Sequence, residues 1–189
     1  AQIGSSRPRR RAGFGLDSGL NMLELPMTSP EPLDPALAEF ITSHVSLQLA
    51  ATDDSGLATA VRCVGCRVSA DRRRVTLLMP RSQAAPVLAS IAANGRVAVV
   101  FNEPKSYRTL QLKGRDGRIE PPLPEDVAAL QPYAAAFARR LAPLDVPEPY
   151  VRTLVSCAPD DLVAVSFTPL EAYAQTPGPR AGRRLGPGE

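Results

Sequence analysis

Short alternating or wholly apolar runs follow one another along this chain, separated by turn residues, and helical recurrence is confined to three stretches. The first opens at Asp34-Pro35, an N-cap with proline at the first helical position, after which Leu37, Phe40 and Ile41 share one face. Residues 44–52 alternate well enough for a strand. Asp53-Asp54-Ser55-Gly56 supplies a tight turn, and residues 57–68 read as the returning strand of a hairpin. Residues 75–79 are a third strand. The second helix is expected over 82–94, apolar on Val87, Leu88 and Ile91 and ended by Asn94-Gly95. Residues 96–102 form a buried strand. Residues 108–115 set Leu110 and Leu112 against Thr109, Gln111 and Lys113, and Asp116-Gly117 leads to a short strand near Ile119. The third helical stretch covers 121–159, where Val127, Leu130, Ala134, Phe137 and Leu141 recur and Pro132 is an expected kink. Residues 162–167 read as the strand that closes the fold.

Antiparallel strands interrupted by one helix, then by a helical insert, describe a mainly β, α+β chain: a small barrel with helical plugs. A βαβ nucleotide fold needs parallel strands with regular crossover helices, which this order lacks. The expected organisation is a tail over 1–30, a barrel over 31–175 with its helical insert at 121–159, and a flexible tail over 176–189.

Composition changes this picture little. The chain has 189 residues, 44% of them hydrophobic, and no apolar run of the ~18 residues a membrane helix needs. Three cysteines and no apolar leader-like stretch make a disulfide framework unexpected, and a cytoplasmic setting is the expectation. Charge is more informative. The formal net charge is +3, yet residues 21–175 hold 15 basic and 17 acidic side chains, a net −2. The basic excess belongs to the ends, so neither nucleic acid nor a membrane is an expected partner. A phosphate ligand would have to be met by a few placed arginines.

Three polar clusters could do so. Arg62 and Arg67 interrupt a buried-looking strand, Val61-Arg62-Cys63-Val64-Gly65-Cys66-Arg67. A guanidinium is rarely buried without an anionic partner, either a ligand or a carboxylate of the chain itself. Positions five apart face opposite ways on an ideal strand, so a bulge at Gly65 would be needed to bring both to one side. Arg81-Ser82 opens the second helix, where free N–H groups suit an anion and Ser82 could equally be a plain cap. Arg108, Thr109 and Gln111 form the third cluster, on a strand otherwise suited to the core.

Taken in this order, the clusters resemble the pyridoxamine 5′-phosphate oxidase-like family of antiparallel split β-barrels that bind flavin mononucleotide (FMN). The likeness spans about residues 34–170. Arg62 and Arg67 match an Arg-x-x-x-x-Lys strand with arginine in place of lysine, Arg81-Ser82-Gln83 a basic turn opening a helix, and Arg108 to Gly114 an Arg-x-x-x-x-x-Gly strand. The resemblance implies that Arg62, Arg67, Arg81 and Ser82 hold the FMN phosphate. It also implies that Val61, Arg62, Cys63 and Val64 lie along the flavin ring, approached by Arg108, Thr109 and Gln111. A homodimer with the cofactor at the subunit interface and a small-molecule redox substrate are further implications. A non-catalytic relative binding flavin, haem or deazaflavin is the alternative. The oxidase's own Trp-containing final strand and Arg-rich end are absent, which argues against vitamin B6 as substrate.

Other chemistries find less support. On an extended strand Cys63 and Cys66 would lie roughly 10 Å apart, beyond disulfide reach and awkward for a shared metal. They read as packing residues. His44 is the sole histidine, and no nucleophile-elbow motif accompanies it.

Overall fold

The computed structural model describes residues 31–186; the expected N-terminal tail lies outside them. Helix α1 (Pro35–Thr42) starts where the sequence places it, because the Asp34 carboxylate accepts from the N–H groups of Ala36 and Leu37. Strand β1 (Ser46–Thr52) follows. At its end the Asp53 carboxylate accepts from the Ser55 and Leu57 N–H groups at 2.9 and 3.0 Å, and Gly56 at φ 87° completes the turn.

The return strand expected over 57–68 is two strands, β2 (Ala58–Arg62) and β3 (Gly65–Val68), belonging to different sheets. The chain changes sheet in two residues. Cys63 N–H donates to the Leu47 carbonyl in one sheet and Val64 N–H to the Leu78 carbonyl in the other, at 3.0 and 2.7 Å. Gly65 permits the crossing, since a Cβ there would sit 2.8 Å from the Leu78 side chain.

Strand β4 (Val75–Pro80) leads into α2 (Arg81–Asn94), which Gly95 ends in the left-handed conformation at φ 67°. Strands β5 (Val97–Asn102) and β6 (Thr109–Gly114) form a hairpin. The chain then crosses to β7 (Arg118–Glu120), continues through α3 (Pro124–Ala128), α4 (Leu130–Leu141) and α5 (Glu148–Leu154), and returns as β8 (Leu162–Phe167). Pro132 falls in the first turn of α4, where a missing N–H costs little. The helical stretch breaks instead at Ala129 and after Leu141.

Strand β8 is not the last. Strand β9 (Glu171–Ala174) extends the first sheet, and residues 176–182 turn back so that β10 (Arg183–Arg184) pairs along it. The sheets run β10-β9-β6-β5-β1-β2 and β3-β4-β8-β7, every pairing antiparallel. Three short crossings join them, and the core lies between: Leu47, Leu49, Val99, Phe101 and Leu112 from one sheet, Val75, Leu77, Val165 and Phe167 from the other. Such a layout is an antiparallel split barrel of α+β class. Gly114 sits where β6 meets the second sheet; a Cβ there would be 2.5 Å from the Phe167 ring.

Candidate functional site

Strand register decides which candidate residues can meet. Arg62 pairs with Gln48, Gln48 with Val100, Val100 with Gln111, and Gln111 with Tyr173. Because directly paired residues share a face, these five form one row across the outer side of the six-stranded sheet. A second row runs Ala60, Ala50, Ala98, Lys113 and Glu171. Residues of both rows keep solvent exposure, and α2 buries its Val87, Leu88 and Ile91 on the inner side. The result is a flat floor of alanines and Val100, edged by Arg62, Gln48, Gln111, Lys113 and Tyr173.

Arg62 is half-buried, and its Nη1 donates to Ser46 Oγ at 3.1 Å. Its neighbours Val61, Cys63 and Val64 are buried in the core, so of the four residues expected along a flavin ring only Arg62 reaches the outer face. Gln111 accepts from the Gln175 amide at 3.1 Å. Thr109, half-buried at the end of the same strand, accepts from Asn102 Nδ2 at 2.7 Å. Arg108 turns elsewhere, its guanidinium 4.2 Å above the centre of the Phe40 ring.

Two of the four expected phosphate anchors, Arg67 and Ser82, are engaged with the chain's own carboxylates. Arg67 Nε donates to Asp126 Oδ1 at 2.9 Å, and Asp126 is only 2% exposed. The same carboxylate caps α3 by accepting from Leu123 N–H at 2.9 Å. At the start of α2, Ser82 donates both its N–H and its hydroxyl to the Asp161 carboxylate, at 2.8 and 2.6 Å. Arg81 is exposed beside it. Helix α4 fills the space near Arg62 and the cysteines: Tyr133 is buried, its hydroxyl donates to the Val45 carbonyl at 3.0 Å, and burial pushes that hydroxyl's pKa well up. An FMN phosphate at this arrangement would have to share Arg67 with Asp126 and displace Asp161 from Ser82, while the Arg67 terminal nitrogens and Arg81 remain for it.

The cysteines are free thiols. Burial pushes Cys63 up to about 12 and Cys66 up as well, which disfavours the thiolate of both at neutral pH. His44 is exposed at φ 60°, its ring centre 6.0 Å from that of Tyr133. Among the described residues no cluster of three or more His, Cys, Asp or Glu is gathered for a metal, and no helix is long and apolar enough to cross a membrane.

Sequence reasoning missed Asp126, Asp161 and Tyr133, all contributed by segments far along the chain. A half-buried arginine demands an anion, but nothing local says which one. It also passed over Arg96 and Arg115, although the β5–β6 hairpin signal was enough to set them side by side.

The class defined by this topology is the antiparallel split barrel, two sheets joined by short crossings. No family model matches the chain, and no curated protein matches it. Among solved structures it is similar to HupZ of Group A Streptococcus, with TM-score 0.47, 11% identity, and 79% of this chain and 100% of that one covered. It is similar too to a Clostridium acetobutylicum protein related to general stress protein 26, of the pyridoxinephosphate oxidase family (TM-score 0.43, 13% identity, 75% and 87% covered). A further one is HutZ, the haem storage protein of Vibrio cholerae (TM-score 0.43, 14% identity, 76% and 94% covered).

Proposed function

We propose that this chain binds a planar, flavin-class cofactor on the outer face of its six-stranded sheet and acts as an oxidoreductase on a small molecule. The observation that carries the reading is the in-register floor of Ala50, Ala60, Ala98 and Val100, solvent-accessible among the described residues and edged by Arg62, Gln48, Gln111 and Tyr173. Small side chains let a flat ring approach the sheet closely, while amides and a guanidinium at the rim offer hydrogen bonds to ring heteroatoms. Redox chemistry would be the cofactor's; the chain's part is to hold and orient it. A homodimer belongs to the same reading, because one sheet face leaves a ring half in water and a second copy set against it would enclose the ring.

A second reading, a split barrel without flavin catalysis, is favoured by the engagement of Arg67 with Asp126 and of Ser82 with Asp161. The absorption spectrum of the purified full chain separates the two. Flavin bands that follow the polypeptide, or that appear on adding FMN and persist through gel filtration, are expected. A Soret band, or protein that stays colourless in excess FMN and in excess riboflavin, would contradict the flavin reading.

A further inference from the structure

On the open sheet face, three cations gather where no carboxylate has been provided to match each of them. Val97 and Gly114 are the last register pair of the β5–β6 hairpin. Arg96 and Arg115 flank that pair just outside the two strands, and Lys113 lies across from Ala98 one step inward. All three line a depression of about 520 Å³ whose floor includes Ala50, Ala58 and Ala98. Like charges on adjacent strands repel, and a sheet that places three together loses stability unless something negative sits among them.

The chain supplies one anion there. Glu171 is opposite Lys113 and lines the same depression. Its carboxylate accepts from the Tyr173 hydroxyl, and that bond, with Arg184, Lys113 and Arg115 nearby, holds it below the usual carboxylate range and charged at neutral pH. Lys113 Nζ also lies 4.7 Å from the centre of the Tyr173 ring. Among the described residues neither Arg96, Lys113 nor Arg115 enters a salt bridge of the kind that engages Arg67, Arg74, Arg140 and Arg152. The depression thus carries three positive side chains against one negative, within a body whose net charge is negative.

We infer that this depression is an anion site that takes the phosphate of a small molecule whose planar ring lies on the adjoining alanine floor. Two guanidinia and an ammonium match a phosphate dianion, and Arg96 and Arg115, flanking the paired ends of β5 and β6, can reach different oxygens. The position of the ring rests on the flavin-class reading above; the anion site itself does not. It also leaves Arg67 and Ser82 with their own carboxylates, because this site lies on the other sheet.

The test is calorimetric titration of the full chain and of Arg96→Gln and Arg115→Gln with FMN, riboflavin and inorganic pyrophosphate. Both substitutions are at exposed positions, and circular dichroism checks that each variant is folded. FMN is expected to bind at least about tenfold more tightly than riboflavin, with most of that margin lost in each variant. Pyrophosphate binding that weakens in the variants, without any flavin binding, would keep the anion site and remove the flavin reading. Equal affinity for FMN and riboflavin, unchanged in the variants, would overturn the anion site while leaving the ring platform standing. No binding of FMN or pyrophosphate would also overturn it.

Discussion

Two parts of this barrel concentrate arginine and differ in what the chain sets against it. Around β3 and the start of α2, Asp126 meets Arg67 and Asp161 meets Ser82, and the helical insert brings the first of these carboxylates in from 59 residues away. At the end of the β5–β6 hairpin, Arg96, Lys113 and Arg115 share one depression with Glu171 alone. In the first region Arg67 and Ser82 are completed by carboxylates of the chain; in the second three cations face one carboxylate. An arginine therefore marks an anion site only when the fold has not already supplied the anion, and register and burial decide that where sequence spacing does not.

The largest effect should come from breaking the completed region. Asp126→Ala leaves a half-buried guanidinium without its carboxylate and uncaps α3. Arg67 keeps 35% side-chain exposure, so water recovers part of the loss. A destabilisation of about 2–3 kcal/mol by urea unfolding is expected, below that of a fully buried pair. Gly114→Ala tests the frame that carries Lys113 and Arg115. Its Cβ would press on the Phe167 ring and the Thr168 carbonyl, costing about 1–3 kcal/mol and weakening FMN or pyrophosphate binding by displacing the end of β6. Asp161→Ala removes the acceptor for the first turn of α2 and should cost about 1 kcal/mol, as loss of a cap does.

Alkaline pH probes the completed end in another way. Burial raises the folded Cys63 thiol from the ordinary 9.0 to about 12. Its stabilising contribution is thus fully present below pH 9 and is lost as pH rises from there toward 12. Melting scans across that window should show falling stability, with a smaller fall in Cys63→Ala relative to its own value at neutral pH. The smallest effect has the opposite sign. Arg96→Gln relieves like-charge repulsion, so without ligand its Tm should rise slightly at low salt, and the gain should shrink as salt screens the cluster.

Most of the fold was legible in the sequence because its signals are local. Asp34-Pro35, Asp53 to Gly56 and Asn94-Gly95 announce a cap, a turn and a stop by their own side chains and φ preferences. The misreading of residues 57–68 as a single strand has the same origin. Both halves alternate as a strand should, and only the pairing of Cys63 with Leu47 and of Val64 with Leu78 shows the change of sheet. The continuation into β9 and β10 was hidden because residues 176–182 carry turn chemistry, whether or not the chain comes back. At the site, Arg62 and Gln111 were named from the sequence and do share a face. The partners of Arg67 and Ser82 were not legible, because a contact spanning 59 or 79 residues leaves no local trace.

The comparison between the two regions comes down to where an added phosphate goes. Titrating FMN into the parent, Arg115→Gln and Arg81→Gln tests this directly, since one substitution lies in the open depression and the other beside the occupied cap of α2. Arg115→Gln is expected to weaken FMN at least about tenfold while Arg81→Gln leaves its affinity at the parent's value. Loss of affinity in Arg81→Gln, with Arg115→Gln unchanged, would contradict this expectation.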